Sequence, residues 1–221
     1  MEIYNYYGNK NSNNILIQMI GDHETSGLES EIKCIARLST DEDFCLVAIK
    51  VDNWNNELSP WKATAAFGDG VFGGNAEETL KELISTINTE VLNGRDIEEV
   101  NLYIGGYSLA GLFALWSAYQ TDIFSGVAAV SASVWFPEFY DYIFENVINT
   151  KSVYLSLGKK EEKTRNKVMS SVGNIMRDIS ALLSTQVYSI LEWNDGNHFN
   201  EPDLRTAKGF SWLLKSNKSA S

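Results

Sequence analysis

Apolar and polar positions divide this chain into short apolar runs separated by longer stretches in which apolar residues recur every three or four positions. The runs Ile3–Tyr7, Asn14–Ile20, Ile32–Ala36, Phe44–Val51, Val100–Ile104, Gly126–Val130, Ser152–Leu157 and Gln186–Leu191 read as strands. Phe44–Val51 is apolar almost without interruption, which suits a strand covered on both faces. Helical spacing appears in Leu80, Leu83, Ile84, Ile87 and Val91, which follow the capping-box-like pair Asn75 and Glu78 and are closed by Asn93-Gly94. It returns in Phe139–Ile148 and in Val168, Val172, Ile175, Met176, Ile179, Leu182 and Leu183. It returns once more after Pro202, with Leu204, Ala207, Leu213 and Leu214, before a frayed tail from Ser216 to Ser221. Strands alternating with helices predict an α/β fold with a mostly parallel central sheet and helices on both faces. Ligands in such sheets bind beyond the carboxyl ends of the strands.

One stretch organises the rest. Val100–Gln120 reads VNLYIGGYSLAGLFALWSAYQ: a strand run, an abrupt turn at Gly105-Gly106, Ser108 just past it, and a helix apolar all round. Strand, sharp turn, serine and buried helix make the plan of a nucleophile elbow. The strained backbone there tolerates little bulk beside the serine. Gly106 lies two positions before Ser108 and Ala110 two after, so the second glycine of G-x-S-x-G is replaced by a methyl group and Gly111 is displaced by one. The competing reading is a tight turn in which Ser108 only caps a helix.

A serine nucleophile needs a base and an acceptor that orients the base. The chain has two histidines. His23 follows the second strand run, in the cluster Gly21-Asp22-His23-Glu24, and reads mainly as a polar loop residue. His198 follows the last strand run through Asn194-Asp195-Gly196-Asn197 and is the candidate base. The acid is open between Glu161, Glu162 and Asp195. The glutamates follow the Ser152 strand, whereas an aspartate in a tight turn more often bonds its own backbone. Glu162 also suits a helix start, where a carboxylate needs no catalytic reason.

The connection after Val51 runs past Trp54, Trp61, Phe67, Gly68, Asp69 and Phe72, a length that usually carries function. Its aromatics, with Trp135 and Phe136 after the Gly126 strand, suit a pocket wall, although core residues under a loop would look the same.

Composition narrows the partners. Eighteen Lys and Arg against 29 Asp and Glu give a net charge of −11, which repels phosphate backbones and anionic lipids, so neither nucleic acid nor membrane is expected as a partner. The 221 residues suit a single domain spanning 1–221. The start MEIYNYYGNK carries no basic segment followed by an apolar run, so a cytoplasmic protein is expected. Cys34 and Cys45 lie in apolar runs, read as buried thiols, and offer no metal set.

GGYSLAGLFAL, followed by SASVWF, SLGKKEEKTRN and DGNHF, resembles the esterase D-like branch of α/β-hydrolases, which includes enterobactin esterases and S-formylglutathione hydrolases. The likeness covers the chain from about Val47 onward. It implies an α/β-hydrolase fold, and a chain this short, with no stretch of spare helices between Gly126 and Phe136 or between Phe136 and Ser152, is expected to hold only the core without a lid domain. It further implies a serine hydrolase acting on carboxylic esters or thioesters of small molecules through an acyl-enzyme, with no metal or organic cofactor. In that pattern the acid comes three residues after the glycine closing its strand, which from Gly158 reaches Glu161. With Ser108 and His198 this makes Glu161 the expected acid; the oxyanion hole is expected from the N–H groups of Leu109 and, in the long loop after the Phe44 strand, Trp54 or a neighbour, and substrate contacts from Trp61, Phe72, Trp135 and Phe136. The alternatives are acyl transfer on the same triad and a binding protein that keeps the fold without turnover.

Overall fold

The computed structural model describes residues 1–64 and 70–216. The piece of the long connection holding Phe67, Gly68 and Asp69, and the tail beyond Ser216, lie outside the described residues. The strands are β1 (Ile3–Gly8), β2 (Asn14–Ile20), β3 (Cys45–Lys50), β4 (Lys62–Thr64), β5 (Val71–Gly73), β6 (Asn101–Tyr107), β7 (Gly126–Val130), β8 (Ser152–Gly158) and β9 (Tyr188–Asn194). The helices are α1 (Leu28–Leu38), α2 (Trp54–Glu57), α3 (Ala76–Thr86), α4 (Leu109–Gln120), α5 (Phe139–Glu145), α6 (Lys167–Ser170), α7 (Val172–Leu183) and α8 (Pro202–Ser216). Seven strands form one sheet in the order β1-β3-β2-β6-β7-β8-β9, parallel except for β1, which pairs antiparallel with β3. β4 and β5 make a small antiparallel ribbon within the long connection.

The strands are apolar on both faces, so both need a helical cover. On β2, Ile15, Ile17 and Met19 join one core cluster with Leu83 of α3, Phe113 of α4, Phe139 of α5 and Met176 of α7. Leu16 and Ile20 turn the other way, into a cluster with Leu28 and Ile35 of α1 and Phe210 and Leu213 of α8. α4 has every residue but Gln120 buried, as its lack of a polar face requires. No helix among the described residues is long and apolar enough to cross a membrane.

Four local expectations change. Ile32–Ala36 is not a strand but the middle of α1, which buries Leu28, Glu31 and Ile35 at helical spacing; acids in its first turn and Arg37 in its last suit the helix dipole. A five-residue window showed too little of that period. Cys34 therefore lies on a helix and is half-buried, Cys45 is buried in β3, and both thiols are free. Asn75 makes no side-chain cap bond; only its carbonyl accepts from the Thr79 N–H. β9 begins at Tyr188 and runs to Asn194, which brings its end closer to His198.

After β3 the chain crosses back over β2 to β6 and then adds strands in the opposite direction, so the order reverses between β2 and β6. A parallel sheet opens a crevice at such a point, beyond its carboxyl ends. Ser108 follows β6 there.

Candidate active site

Ser108 joins β6 to α4 with φ 57° and ψ −117°, a conformation costly for a residue with a Cβ. Its neighbours hold it: the Ser108 N–H donates to the Val130 carbonyl at 3.0 Å, and its carbonyl accepts from the Leu112 and Ser133 N–H groups at 3.0 and 3.1 Å. Residue size follows from this packing. A Cβ on Gly106 would lie 2.6 Å from the Ala110 Cβ, so the methyl at 110 is tolerated because 106 has none. A Cβ on Gly111 would meet the Gly106 carbonyl oxygen at 2.8 Å and β7 backbone at 3.1 Å. The displaced glycine is thus where α4 closes on the sheet.

A chain of side-chain hydrogen bonds leads away from the serine. Ser108 Oγ lies 3.1 Å from His198 Nε2, and His198 Nδ1 lies 2.8 Å from Glu161 Oε2. Ser133 Oγ is 3.3 Å from Ser108 Oγ on its other side. Glu161 opens a single turn of 3-10 helix, Glu161–Lys163, directly after β8. Its other oxygen, Oε1, accepts from the Gly158 N–H at 2.7 Å and the Ser131 hydroxyl at 2.8 Å. A Cβ on Gly158 would sit 2.9 Å from Glu161 Oε1 and 2.7 Å from the Gly196 carbonyl, so a glycine must end β8 for the acid and the histidine loop to approach.

The other two candidate acids point elsewhere. Glu162 pairs with Arg177 of α7 at 3.0 Å. Asp195 is exposed and bonded to Lys159 at 2.7 Å, a contact that lowers its pKa. Tyr107 donates its hydroxyl to the His198 carbonyl at 2.7 Å, and burial raises its pKa, which keeps it a donor. His23 is exposed and meets the ring of Trp54 edge-on at a centroid distance of 4.8 Å.

Beside the pair of Glu161 and His198 lies a cavity of about 450 Å³ whose wall includes Trp135, Lys160, Lys163, Met169 and Phe199. Phe199, 85% exposed, stands at its lip. Of the aromatics anticipated as substrate contacts, only Trp135 lines this cavity. Phe72 and Phe136 are 4% and 2% exposed and pack on each other at 4.9 Å between centroids. Trp61 packs against Phe136, Phe139 and Tyr142, and its indole N–H donates to the Pro137 carbonyl at 2.9 Å. Trp54 opens α2 after β3, and Leu109 opens α4; a first-turn N–H has no acceptor within its own helix. Among the described residues, no group of three or more His, Cys, Asp or Glu is arranged to hold a metal ion.

Sequence reasoning missed Tyr107, Ser131, Ser133, Lys160, Lys163, Phe199 and Arg205. The first is the x of G-x-S, and the next two are the small polar residues of Ser131-Ala132-Ser133 after a buried strand; those positions were the available signal.

No protein-family model and no curated protein matches the sequence. Solved structures do. An IroE-like serine hydrolase from Shewanella oneidensis superposes with a TM-score of 0.73 at 13% identity, over 95% of this chain and 74% of that one. The siderophore hydrolase EstA from Aspergillus nidulans gives 0.68 at 16%, over 94% and 84%. The enterobactin esterase FES from Shigella flexneri gives 0.62 at 14%, over 96% of this chain and 55% of that one. At such identities the likeness concerns the fold, and this chain has the α/β-hydrolase fold, with no separate lid domain among the described residues.

Proposed function

We propose that this chain is a serine hydrolase that cleaves carboxylic esters or thioesters of small molecules. The observation that carries this reading is the unbroken series Ser108 Oγ, His198 Nε2, His198 Nδ1, Glu161 Oε2, with contacts of 3.1 and 2.8 Å, ending on a strained serine. The named activities of the similar structures, serine hydrolase, siderophore hydrolase and enterobactin esterase, agree with it.

Ser108 Oγ attacks the acyl carbon while His198 Nε2 takes its proton, and Glu161 holds the Nδ1–H so that Nε2 faces the serine. The oxyanion is met by the Leu109 N–H at the start of α4 and by the Trp54 N–H after β3. The bond to the leaving oxygen or sulfur then breaks, with the proton passing from His198 to the leaving group. Water attacks the acyl-enzyme by the same route and releases the acid. The acyl or aromatic part rests against Trp135 and Phe199, with Lys160 and Lys163 near enough to favour groups bearing negative charge. The setting proposed is cytoplasmic, where Cys34 and Cys45 would stay reduced.

Hydrolysis of p-nitrophenyl acetate, with and without added alcohols, tests the proposal. Turnover that disappears in Ser108→Ala is expected. A product shifted from acid to new ester by the alcohol would indicate acyl transfer, and no turnover on any activated ester would leave only the binding-protein reading.

A further inference from the structure

Arg205 occupies a position that is costly on two counts. It lies in the first turn of α8, where a cation faces the positive end of the helix dipole, and it is 1% exposed, so its charge must be met inside the protein. Both terminal nitrogens are met by acceptors, while Nε is buried with no partner among the described residues. Nη1 donates to Glu161 Oε1 at 3.1 Å, to the Tyr107 hydroxyl at 3.2 Å and to Ser131 Oγ at 3.3 Å. Nη2 donates to the carbonyls of Asp195 at 2.7 Å and Asn197 at 3.0 Å. The planar fork therefore reaches the ends of β6 and β7, the turn after β8 and the loop after β9. A lysine ammonium, a point charge on a flexible stem, could not span those groups together.

Two alignments depend on this fork. The first is that of Glu161: with Gly158, Ser131 and Arg205 all donating to Oε1, the carboxylate cannot turn without losing bonds, and Oε2 is left for His198. Arg205 is the one charged donor of the three, hence the strongest. The second is that of His198, whose backbone is anchored from both sides, by Nη2 on the carbonyls of 195 and 197 and by the Tyr107 hydroxyl on the carbonyl of 198. We propose that Arg205 is a positioning residue that holds the acid and the base of the triad in register with Ser108; the proposal rests on the serine-hydrolase reading above. Arg205 does not line the cavity, so it acts through Glu161 and the histidine loop.

The test compares the wild type with Arg205→Met and Arg205→Lys. Active sites are counted by phosphonate titration, so that unfolded molecules drop out of kcat, and the proton NMR resonance of His198 Nδ1–H is recorded for each protein. For Arg205→Met, kcat per titrated site should fall about 100-fold, the scale of an ångström-sized misplacement, and the resonance should move upfield or broaden. KM should stay within about threefold of wild type, because uniform substrate binding is untouched. Arg205→Lys keeps the charge without the fork and should fall about tenfold in kcat, while the resonance persists. If Arg205→Met does not fold, the lysine variant carries the comparison. Wild-type kcat per titrated site in either folded variant would overturn the proposal, as would a loss confined to KM or to the number of titratable sites. Should the wild type hydrolyse no ester, the serine-hydrolase reading fails on its own. The resonance would still decide for Arg205: unmoved in the folded methionine variant it overturns the proposal, displaced it supports it.

Discussion

Glu161 and Glu31 are both buried carboxyl groups, 9% and 4% exposed, and the first turn of α8 attends to both in opposite ways. Toward Glu161 it presents Arg205, and the acid collects donors on both oxygens. Toward α1 it presents Asp203, which accepts from Ser30 and adds negative charge near Glu31. Glu31 receives one hydrogen bond, from Gln18 Nε2 at 3.2 Å, while its Oε1 and the Gln18 Oε1 are buried with no partner among the described residues. Burial first, then the charges of Glu24 and Asp203, push Glu31 well above the ordinary carboxylate range against the opposing bond from Gln18. Burial also pushes Glu24 up to about 7. Burial alone therefore does not fit an acid for the role proposed for Glu161. The side with converging donors can orient a histidine, and the side without them stores a cost that a proton relieves.

The largest effect that can break this contrast is on the Glu161 side. Glu161→Gln should reduce kcat by ~10³ to 10⁴, as loss of a triad acid does when the imidazole adopts the wrong tautomer. A loss under tenfold in steady-state kinetics would mean that Ser108 and His198 act without it.

On the other side the effect should be on stability, with a fixed sign. Glu24 and Glu31 bind a proton more tightly folded than unfolded, so folding takes up protons and stability falls as pH rises above the unfolded value of 4.5. For Glu24 the fall runs from there to about 7 and amounts to at most about 3 kcal/mol. Thermal melts should show a lower Tm at pH 8 than at pH 5.5. Glu24→Gln and Glu31→Gln should each reduce that difference and leave kcat unchanged. A Tm that rises between these pH values in the wild type would contradict the account.

Smaller effects sharpen the picture. Glu162→Gln should change kcat less than about tenfold, because that carboxylate faces Arg177 on a partly exposed surface. Ser133→Ala should cost only a few-fold, about 1 kcal/mol, for the loss of one neutral contact to the nucleophile. A Ser133→Ala loss as large as that of Glu161→Gln would bring Ser133 into the catalytic set.

How much of this was legible in the sequence depended on the range of each constraint. The elbow was visible because its backbone dictates size within a few positions: Gly106, Ser108, Ala110 and Gly111 all lie in one turn. The step from Gly158 to Glu161 came from the family resemblance, the residues alone leaving three acids open; in the structure it is local, the N–H of the first bonding the carboxylate of the second. Arg205 was not visible, because Glu161 and Tyr107 lie 44 and 98 positions away and a helix-start arginine looks like any surface cation. The aromatics divided for the same reason. Trp135 and Phe199 line the cavity while Trp61 and Phe72 pack on Phe136, and residue type, Trp or Phe, does not tell the two cases apart. α1 was misjudged because its inward positions, Leu28, Glu31 and Ile35, include a glutamate.

The central claim is that Ser108 is a nucleophile activated by His198. Titration with an organophosphonate, followed by mass spectrometry of the labelled peptide, tests it most directly. One equivalent should bind covalently at Ser108 with activity lost in proportion, Ser108→Ala should take up no label, and labelling should slow by orders of magnitude in His198→Ala. A Ser108→Ala protein that still takes up one equivalent, or a wild type that takes up none while correctly folded, would contradict it.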